Sequence, residues 1–378
     1  MKKFIYKRSI YPRMEKWLFQ GKVLILYGPR QVGKTTLVKQ IMEHYPGSYY
    51  LNCERPAVKD LLASIHPENI LRSAGDARII IFDEAQKIRN IGETLKLLID
   101  THPERQYIAT GSSSFQLVSE VSEPLTGRNV KFFLFPLSLQ ELSQQYDLLK
   151  LNEKLPDFLR FGTYPDIVDR PVEEQITLLD ELSSDYLFRD VLQYENIKHS
   201  ETIVKLLKAI ALQTGHEVSF RELGLLTGLS VETVQRYIQL LERSFVLFPL
   251  PSFSRNLRNE IARSRKYYFY DLGIRNSIIQ NYALLENRTD KGALWENFCI
   301  VNRMQLHANA GRKTNIYFWR TYQQKEIDLI EEYGGKLNAL EFKFSNRKVK
   351  PPAQFLKTYP EATFQVVHSE NFANYLLG

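Results

Sequence analysis

Between residues 22 and 134 the chain alternates short, wholly apolar runs with stretches of helical periodicity. Lys22–Tyr27 (KVLILY), Tyr49–Asn52, Arg78–Phe82 (RIIIF), Gln106–Ala109 and Val130–Phe135 read as strands. Thr35–His44, with apolar Leu37, Val38 and Ile41, and Ile91–Ile99 read as helices between them. Strands that are apolar throughout, rather than at alternate positions, are buried on both faces. The pattern therefore predicts a parallel sheet covered by helices on each side.

Beyond Pro136 the period changes. Ser138 with Glu141 three residues on is a capping-box signature, and helical periodicity without a strand follows to about residue 215. Ser219 and Glu222 form a second such pair before Leu223, Leu225 and Leu226. Gly228-Leu229-Ser230 supplies a turn, and Val231–Ser244 sets Val234, Ile238 and Leu241 on one face. With strand-like Phe245–Leu250 behind them, these residues predict a helix-turn-helix and a β wing. Residues 251–378 mix helices and strands again, and no internal repeat is apparent. The expected division is an α/β domain over 1–145, a helical region with a winged helix over 146–250, and a second α/β domain over 251–378.

Composition bounds this picture. A chain of 378 residues with 44% hydrophobic and 25% charged positions is globular, with room for two or three domains. No apolar run approaches the roughly 18 residues of a membrane span. The basic start, Met1 to Arg8, lacks the apolar core of a signal peptide. Cys53 and Cys299 lie far apart, and no Cys/His cluster has zinc spacing. A reducing compartment, the cytoplasm, is the expectation. Fifty Lys and Arg against 43 Asp and Glu give a net charge of +7, which permits a polyanionic partner without requiring one.

Candidate chemistry begins at Gly28-Pro29-Arg30-Gln31-Val32-Gly33-Lys34-Thr35-Thr36, which fits GxxxxGK[ST] between a predicted strand and helix. Glycines let backbone N–H groups curl around an anion, and the helix N-terminus adds positive partial charge. Lys34 can reach β- and γ-phosphates, and the Thr35 hydroxyl can join a Mg²⁺ shell. Forty-nine residues after Lys34, an apolar strand ends in Asp83-Glu84. Asp83 suits the metal side and Glu84 the base that polarises an attacking water, which argues for hydrolysis over passive binding. The fourth strand runs into Thr110-Gly111-Ser112-Ser113-Ser114. Thr110 or Ser112 faces the γ-phosphate, or the serines only cap the next helix. Arg128, in Leu125-Thr126-Gly127-Arg128, neutralises transition-state charge in cis or from a neighbouring subunit, or is a plain surface residue. No Asn-Lys-x-Asp guanine-reading motif is present, so ATP with Mg²⁺ is the expected ligand.

GPRQVGKTT, IIIFDEAQKI, IATGSSSF, LTGR and FPLSLQEL, in this order, resemble the AAA-superfamily ATPases of bacteria and archaea that carry a C-terminal domain of unknown function. FGTYPDIV (161–168), DYLFRDVL (185–192), RYIQLLERSFVLFPL (236–250) and KYYFYDLGIRN (266–276) continue the resemblance over essentially the whole chain. It implies ATP binding with hydrolysis, a winged-helix segment, and a C-terminal core similar to restriction endonucleases.

Within that last segment stand Glu296 in a helical stretch (WENFCIVNR), Asp328 in KEIDLI, and Glu341 with Lys343 in ALEFK. A helix Glu, a strand Asp and a following E-x-K make up the pattern of restriction-endonuclease-like nucleases; the proline that often precedes the Asp is replaced by Ile327. Period-2 alternation puts Glu341 and Lys343 on one strand face, and likewise Glu326 and Asp328. Asp328 and Glu341 can then hold Mg²⁺, with Lys343 positioning or activating a water and Glu296 completing the metal shell. Arg255, Arg258, Arg263, Arg265 and Lys266, together with Arg347, Lys348 and Lys350, can track a DNA backbone. The second helix of the turn motif carries Glu232, Arg236, Glu242 and Arg243, a balanced face that suits packing or protein binding as well as DNA. Three readings stay open. One is an ATP-driven DNA-processing protein with a nucleotide-gated nuclease. Another is a nucleotide-controlled switch whose C-terminal core binds a partner and cuts nothing. The third is a nuclease whose ATPase part assembles subunits into a homo-oligomer.

Overall fold

The structure, a computed structural model, describes residues 4–63, 67–112, 124–185, 200–253, 265–321 and 323–378. The chain forms two compact units, Lys7–Pro136 with Arg243–Phe245, and the remainder.

The first unit is built on a five-stranded sheet of β1 (Val23–Tyr27), β2 (Tyr49–Asn52), β3 (Ile79–Asp83), β4 (Gln106–Gly111) and β5 (Asn129–Phe133). Its order is β2-β3-β4-β1-β5 and every pairing is parallel. The helices are α1 (Tyr11–Glu15), α2 (Lys34–His44), α3 (Pro56–Ala63), α4 (Pro67–Ala74) and α5 (Ile91–Thr101). As the unbroken apolar runs require, β3 and β4 are buried at every position. On one face Ile80, Phe82, Tyr107 and Ala109 pack with Leu95 and Leu98 of α5. Burial of each such large side chain contributes about 1.5–3 kcal/mol relative to exposure. Because all five strands run the same way, the C-terminal ends of β1, β3 and β4 share one edge. The strand β4 lies between β1 and β3, so the ends of those two strands are about 10 Å apart at ordinary strand spacing.

The second unit holds α6 (Leu139–Leu142), α7 (Leu148–Phe161), α8 (Val172–Asp185), α9 (Ser200–Leu212), α10 (Phe220–Thr227) and α11 (Val231–Arg243, whose last residue belongs to the first unit). A three-stranded antiparallel sheet, β6-β8-β7, follows from β6 (Glu217–Val218), β7 (Leu247–Pro251) and β8 (Arg265–Phe269). After α12 (Leu272–Ile278) and α13 (Lys291–Asn309) come β9 (Asn315–Arg320), β10 (Glu326–Tyr333), β11 (Lys336–Phe342), α14 (Ala353–Thr358), β12 (Thr363–Val367) and α15 (Ala373–Leu376). Their sheet has the order β12-β11-β10-β9, antiparallel except for the β11–β12 pair. Ser138 closes the reciprocal capping box with Glu141 that its spacing predicts, and Leu139 N–H donates to Asn302 Oδ1 at 2.9 Å.

One hydrophobic core runs through this unit. It joins Leu151, Leu155, Phe158 and Leu159 of α7 to Leu250 and Tyr268, then to Trp295 and Phe298 of α13, and to Leu329, Leu340 and Val367 of the last sheet. The segments 146–250 and 251–378, expected as separate domains, thus share their apolar interior, and Leu250 at the expected boundary is fully buried in it. Likewise the first unit ends at Pro136 rather than near residue 145, because the 138–142 helix packs into this second core.

Asp271 fastens α7 to α12. Its Oδ1 accepts from Gly273 N and Ile274 N at the start of α12, and its Oδ2 accepts from Thr163 N at 2.7 Å just past the end of α7. Burial pushes its carboxyl up to about 6. Gly162 ends α7 at φ +72°, ψ −163°, a backbone region open essentially to glycine alone, and a Cβ there would overlap the Asp271 carboxylate. Gly162→Ala should therefore cost roughly 2–5 kcal/mol of unfolding free energy, by strain and collision together. Urea denaturation of the two proteins checks this, and a change below about 1 kcal/mol would refute it.

Candidate functional site

The shared edge of the parallel sheet gathers the nucleotide motifs. Leaving β1, Gly28 adopts φ +151°, and a Cβ there would overlap the Leu134 carbonyl, so the chain can pass only as glycine. Gln31 (φ +57°) and Gly33 (φ +96°) take left-handed conformations on either side of Val32. Such alternation turns successive N–H groups into a concave anion nest, and α2 begins at the next residue, Lys34. The Lys34 ammonium is buried and donates to the carbonyls of Gly28 (3.0 Å) and Pro29 (2.6 Å), folded over its own loop.

Asp83 ends β3 and is 3% exposed. Its Oδ2 accepts from the Thr35 hydroxyl at 2.9 Å and from the Tyr50 hydroxyl, while Oδ1 accepts from the Thr110 hydroxyl. Thr110 Oγ1 also accepts from Glu84 N at 3.0 Å. Glu84 itself is left-handed (φ +54°), an uncommon conformation for a residue with a side chain. Its Oε2 accepts from Gln86 Nε2 at 2.5 Å and from the Ser112 hydroxyl at 3.2 Å. Burial, then Asp83, raises the Tyr50 phenol, and burial, then Asp83 and Glu84, pushes the Cys53 thiol up to about 12. These residues fit Mg-ATP: the loop offers an anion nest, and Thr35 and Asp83 place a hydroxyl and a carboxylate together beside it.

Residues 28–36, Asp83, Glu84, Thr110 and Ser112 therefore converge. Thr110 holds Asp83 and Ser112 holds Glu84, so each hydroxyl has a distinct carboxylate. Arg128 does not join them. Its carbonyl accepts from Val23 N at the opposite end of β1, and its guanidinium pairs with Asp100 at 2.5 Å. The five residues of β1 span about 17 Å, so the cis role expected for Arg128 fails on distance. Ser113 and Ser114 lie outside the described residues. Tyr50, Gln86 and Arg8 were not legible in the sequence: Tyr50 reaches Asp83 only through the β2–β3 register, and Arg8 belongs to no motif.

In the second unit the four residues expected to meet do meet, with additions. Asp328 starts a bulge between Ile327 and Ile330 of β10. Its Oδ2 accepts from Phe342 N (2.8 Å) and lies 3.7 Å from Lys343 Nζ, which pairs with Glu341 Oε1 at 2.7 Å. Carboxylate oxygens of Glu296, Glu326 and Asp328 lie within 4.8 Å of one another, so Glu326, outside the expected ligand set, joins the cluster. Between two of these acids stands Lys266. Its ammonium, 1% exposed, pairs with Glu296 (3.2 Å) and with Glu326. Lys266 is therefore no part of a surface basic run, as its position after Arg263 and Arg265 suggested; period-2 alternation on β8 turns it inward with Tyr268, whose hydroxyl donates to Glu296 at 2.5 Å. Arg255, Arg258 and Arg263 lie outside the described residues.

Burial, then repulsion from Asp328, raises Glu296 to about 8 and Glu341 to about 7. Burial raises Asp328 as well, against the pull of Lys343 and Lys266. The acidic cluster is thus fit for a cation on its Asp328–Glu341 side, where Glu341 Oε2 is buried without a hydrogen-bond partner among the described residues. Its Glu296–Glu326 side already holds an ammonium.

Removing that ammonium leaves buried carboxylates uncompensated. Lys266→Met should destabilise the protein by roughly 3–5 kcal/mol at pH 9. The loss should be smaller at pH 6, because a carboxyl raised to about 8 takes up a proton, and sheds its charge, as the pH falls below 8. Denaturation at the two pH values checks both size and sign; an equal loss at both would contradict the assignment.

Residues 20–143 match the AAA domain family, residues 152–284 a domain of unknown function (DUF8612), and residues 291–375 another (DUF4143). An uncharacterized protein of Mycobacterium tuberculosis is 29% identical over 344 residues, which cover 90% of this chain and 74% of that one. An uncharacterized protein of Methanocaldococcus jannaschii is 26% identical over 317 residues, 76% of this chain and 71% of its own. Among solved structures, a Walker-type ATPase of Pyrococcus abyssi shares the fold at a TM-score of 0.50 and 17% identity, covering 73% of this chain and 96% of that one. The second unit's segments thus resemble families without an assigned activity, whereas the sheet edge bearing Lys34, Thr35 and Asp83 falls within the AAA match. Residues 20–143 thus match an AAA domain family and share the fold of a Walker-type ATPase, which supports ATP binding at the phosphate loop, and the segments behind them match two domains of unknown function.

Proposed function

We propose that the protein hydrolyses ATP and that its nucleotide state controls an acidic site in the second unit that cleaves DNA. The observation that carries the hydrolytic half is the Asp83-Glu84 pair at the end of β3. One carboxylate is tied to the Thr35 hydroxyl, and its neighbour is held ready by Gln86 and Ser112.

Thr35 and Asp83 would hold Mg²⁺, which when bound neutralises phosphate charge. The N–H groups of residues 31–35 bind the phosphates, and Lys34 exchanges two backbone carbonyls for phosphate oxygens. Glu84 accepts a proton from the attacking water, and its left-handed backbone aims it away from the β3 axis. Thr110 orients Asp83 by donating to it.

For the second unit, the meeting of Glu296 on α13, Asp328 on β10, and Glu341 and Lys343 at the end of β11 supports the restriction-endonuclease-like reading. Asp328 and Glu341 would hold one Mg²⁺, and Lys343 would orient a water or a phosphate oxygen. Helices α10 and α11 beside the β6-β8-β7 sheet support the winged-helix reading, and exposed Arg347, Lys348 and Lys350 after β11 supply charge for a nucleic-acid backbone. Lys266 favours a second reading, in which the same core binds a partner and cuts nothing, because half of the acidic cluster is already neutralised.

Glu84→Gln should retain ATP binding while hydrolysis falls by about 10²–10⁴-fold, and Lys34→Ala should lose binding. Plasmid and single-stranded DNA, incubated with Mg²⁺ or Mn²⁺ with and without ATP, should be cut by the wild type and left intact by Glu341→Ala. Hydrolysis of ATP without cleavage under any metal would leave the partner-binding switch as the function. Glu84→Gln hydrolysing at the wild-type rate would remove it from the base role.

A further inference from the structure

Arg8 stands twenty residues ahead of the phosphate loop and is 6% exposed. One guanidinium nitrogen, Nη1, donates to the Val32 carbonyl at 2.6 Å, and the other, Nη2, donates to the Phe135 carbonyl at 2.7 Å. Nη1 also lies 3.6 Å from where a Cβ on Gly33 would be, so the guanidinium rests directly against the loop.

The peptide plane gives this contact a consequence. In a trans peptide the C=O and the following N–H point to opposite sides. Holding the Val32 carbonyl outward therefore turns the Gly33 N–H inward, toward the concave side that the left-handed Gln31 and Gly33 create. The other prong matters as well. Gly28, at the near end of the loop, packs against the Leu134 carbonyl, and Leu134 N donates to the Tyr27 carbonyl at 2.8 Å. Phe135 is the next residue. Arg8 thus ties the far end of the loop to the same backbone on which its near end rests. A planar guanidinium can satisfy two carbonyls at once in fixed geometry, and an ammonium cannot do so with the same precision of angle.

We propose that Arg8 is a positioning residue for nucleotide phosphates, holding the Val32–Gly33 peptide so that the Gly33 N–H faces the bound anion. The proposal rests on the reading that this loop binds ATP. It differs from a structural fastening of residues 7–10. A fastener, when removed, lowers the melting temperature and leaves the affinity of the folded protein for phosphate unchanged.

The test measures dissociation constants of ADP and of pyrophosphate by titration calorimetry on full-length wild type, Arg8→Ala, Arg8→Lys and Lys34→Ala, with circular dichroism confirming the fold. Folded Arg8→Ala should bind both ligands more weakly by a similar factor, on the order of 10- to 100-fold, the value of a hydrogen bond to a charged group. Arg8→Lys, which keeps the charge and one donor, should fall between. Wild-type affinity in folded Arg8→Ala would overturn the proposal, as would a loss for ADP with none for pyrophosphate, since the contact would then serve the nucleoside. Should Arg8→Ala not fold, Arg8→Lys decides: weakened binding of both ligands upholds the proposal, and wild-type binding overturns it. Wild-type protein that binds neither ligand would sink the nucleotide reading itself. Binding abolished by Lys34→Ala but kept by Arg8→Ala would sink the Arg8 proposal alone.

Discussion

A single carboxylate organises the nucleotide edge. Asp83 accepts hydrogen bonds from the hydroxyls of Thr35, Tyr50 and Thr110, which come from α2, β2 and β4. A buried carboxylate left unpaired would cost several kcal/mol, so these three elements are constrained to present their hydroxyls to it. Through Thr110 the constraint reaches the Glu84 backbone, and through Thr35 it reaches the first turn of the helix that closes the phosphate loop. The relative placement of Thr35, Tyr50, Thr110 and Glu84 depends on that tie, which forms where β4 lies between β1 and β3.

The acidic cluster of the second unit obeys a different rule. Glu296, Glu326, Asp328 and Glu341 face two ammonium groups, Lys266 and Lys343, in a largely buried space. With Arg320, 3.5 Å from Glu326, four carboxylates face three cations, and the remaining deficit of positive charge is met by retaining protons near neutrality, as the raised Glu296 and Glu341 show. Elsewhere on the same helix and strand the deficit is met outright. Glu331 is buried as deeply, yet hydrogen bonds from His307 and Arg303 hold it down at about 2. A carboxylate with hydrogen-bond donors of its own is scaffolding. One that shares its partners holds its proton to higher pH, as Glu296 and Glu341 do.

Much of this was legible in the sequence where local chemistry and tertiary position coincide. Apolar runs without alternation gave the parallel sheet, and the glycine spacing placed the phosphate loop, because each depends on residues close together in the chain. Ser138 and Glu141 announced their own capping box for the same reason. The contacts of Tyr50 and Lys266 were not legible, since each acts through a strand register that sequence spacing does not encode, and the shared strand face of Glu326 and Asp328 gave no sign that Glu326 pairs with Lys266. Lys266 is the clearest case. In a run of arginines it reads as surface charge, and only the pairing of β8 with β6 and β7 turns it inward. Arg128 misled in the opposite direction: a plausible arginine after a strand proved to sit at the wrong end of the sheet.

The core that joins α7 to the final sheet bears on how such chains can be inherited. Residues 152–284 and 291–375 match two different domain families, yet Phe158 and Leu250 from one and Phe298 and Leu340 from the other fill a single interior. Side chains in a close-packed interior must match in volume to within about a methylene. A recombination event that exchanged either segment for a diverged copy would bring together surfaces that had never been fitted to each other. The two segments are therefore bound to drift together, each substitution on one side changing which substitutions the other can accept.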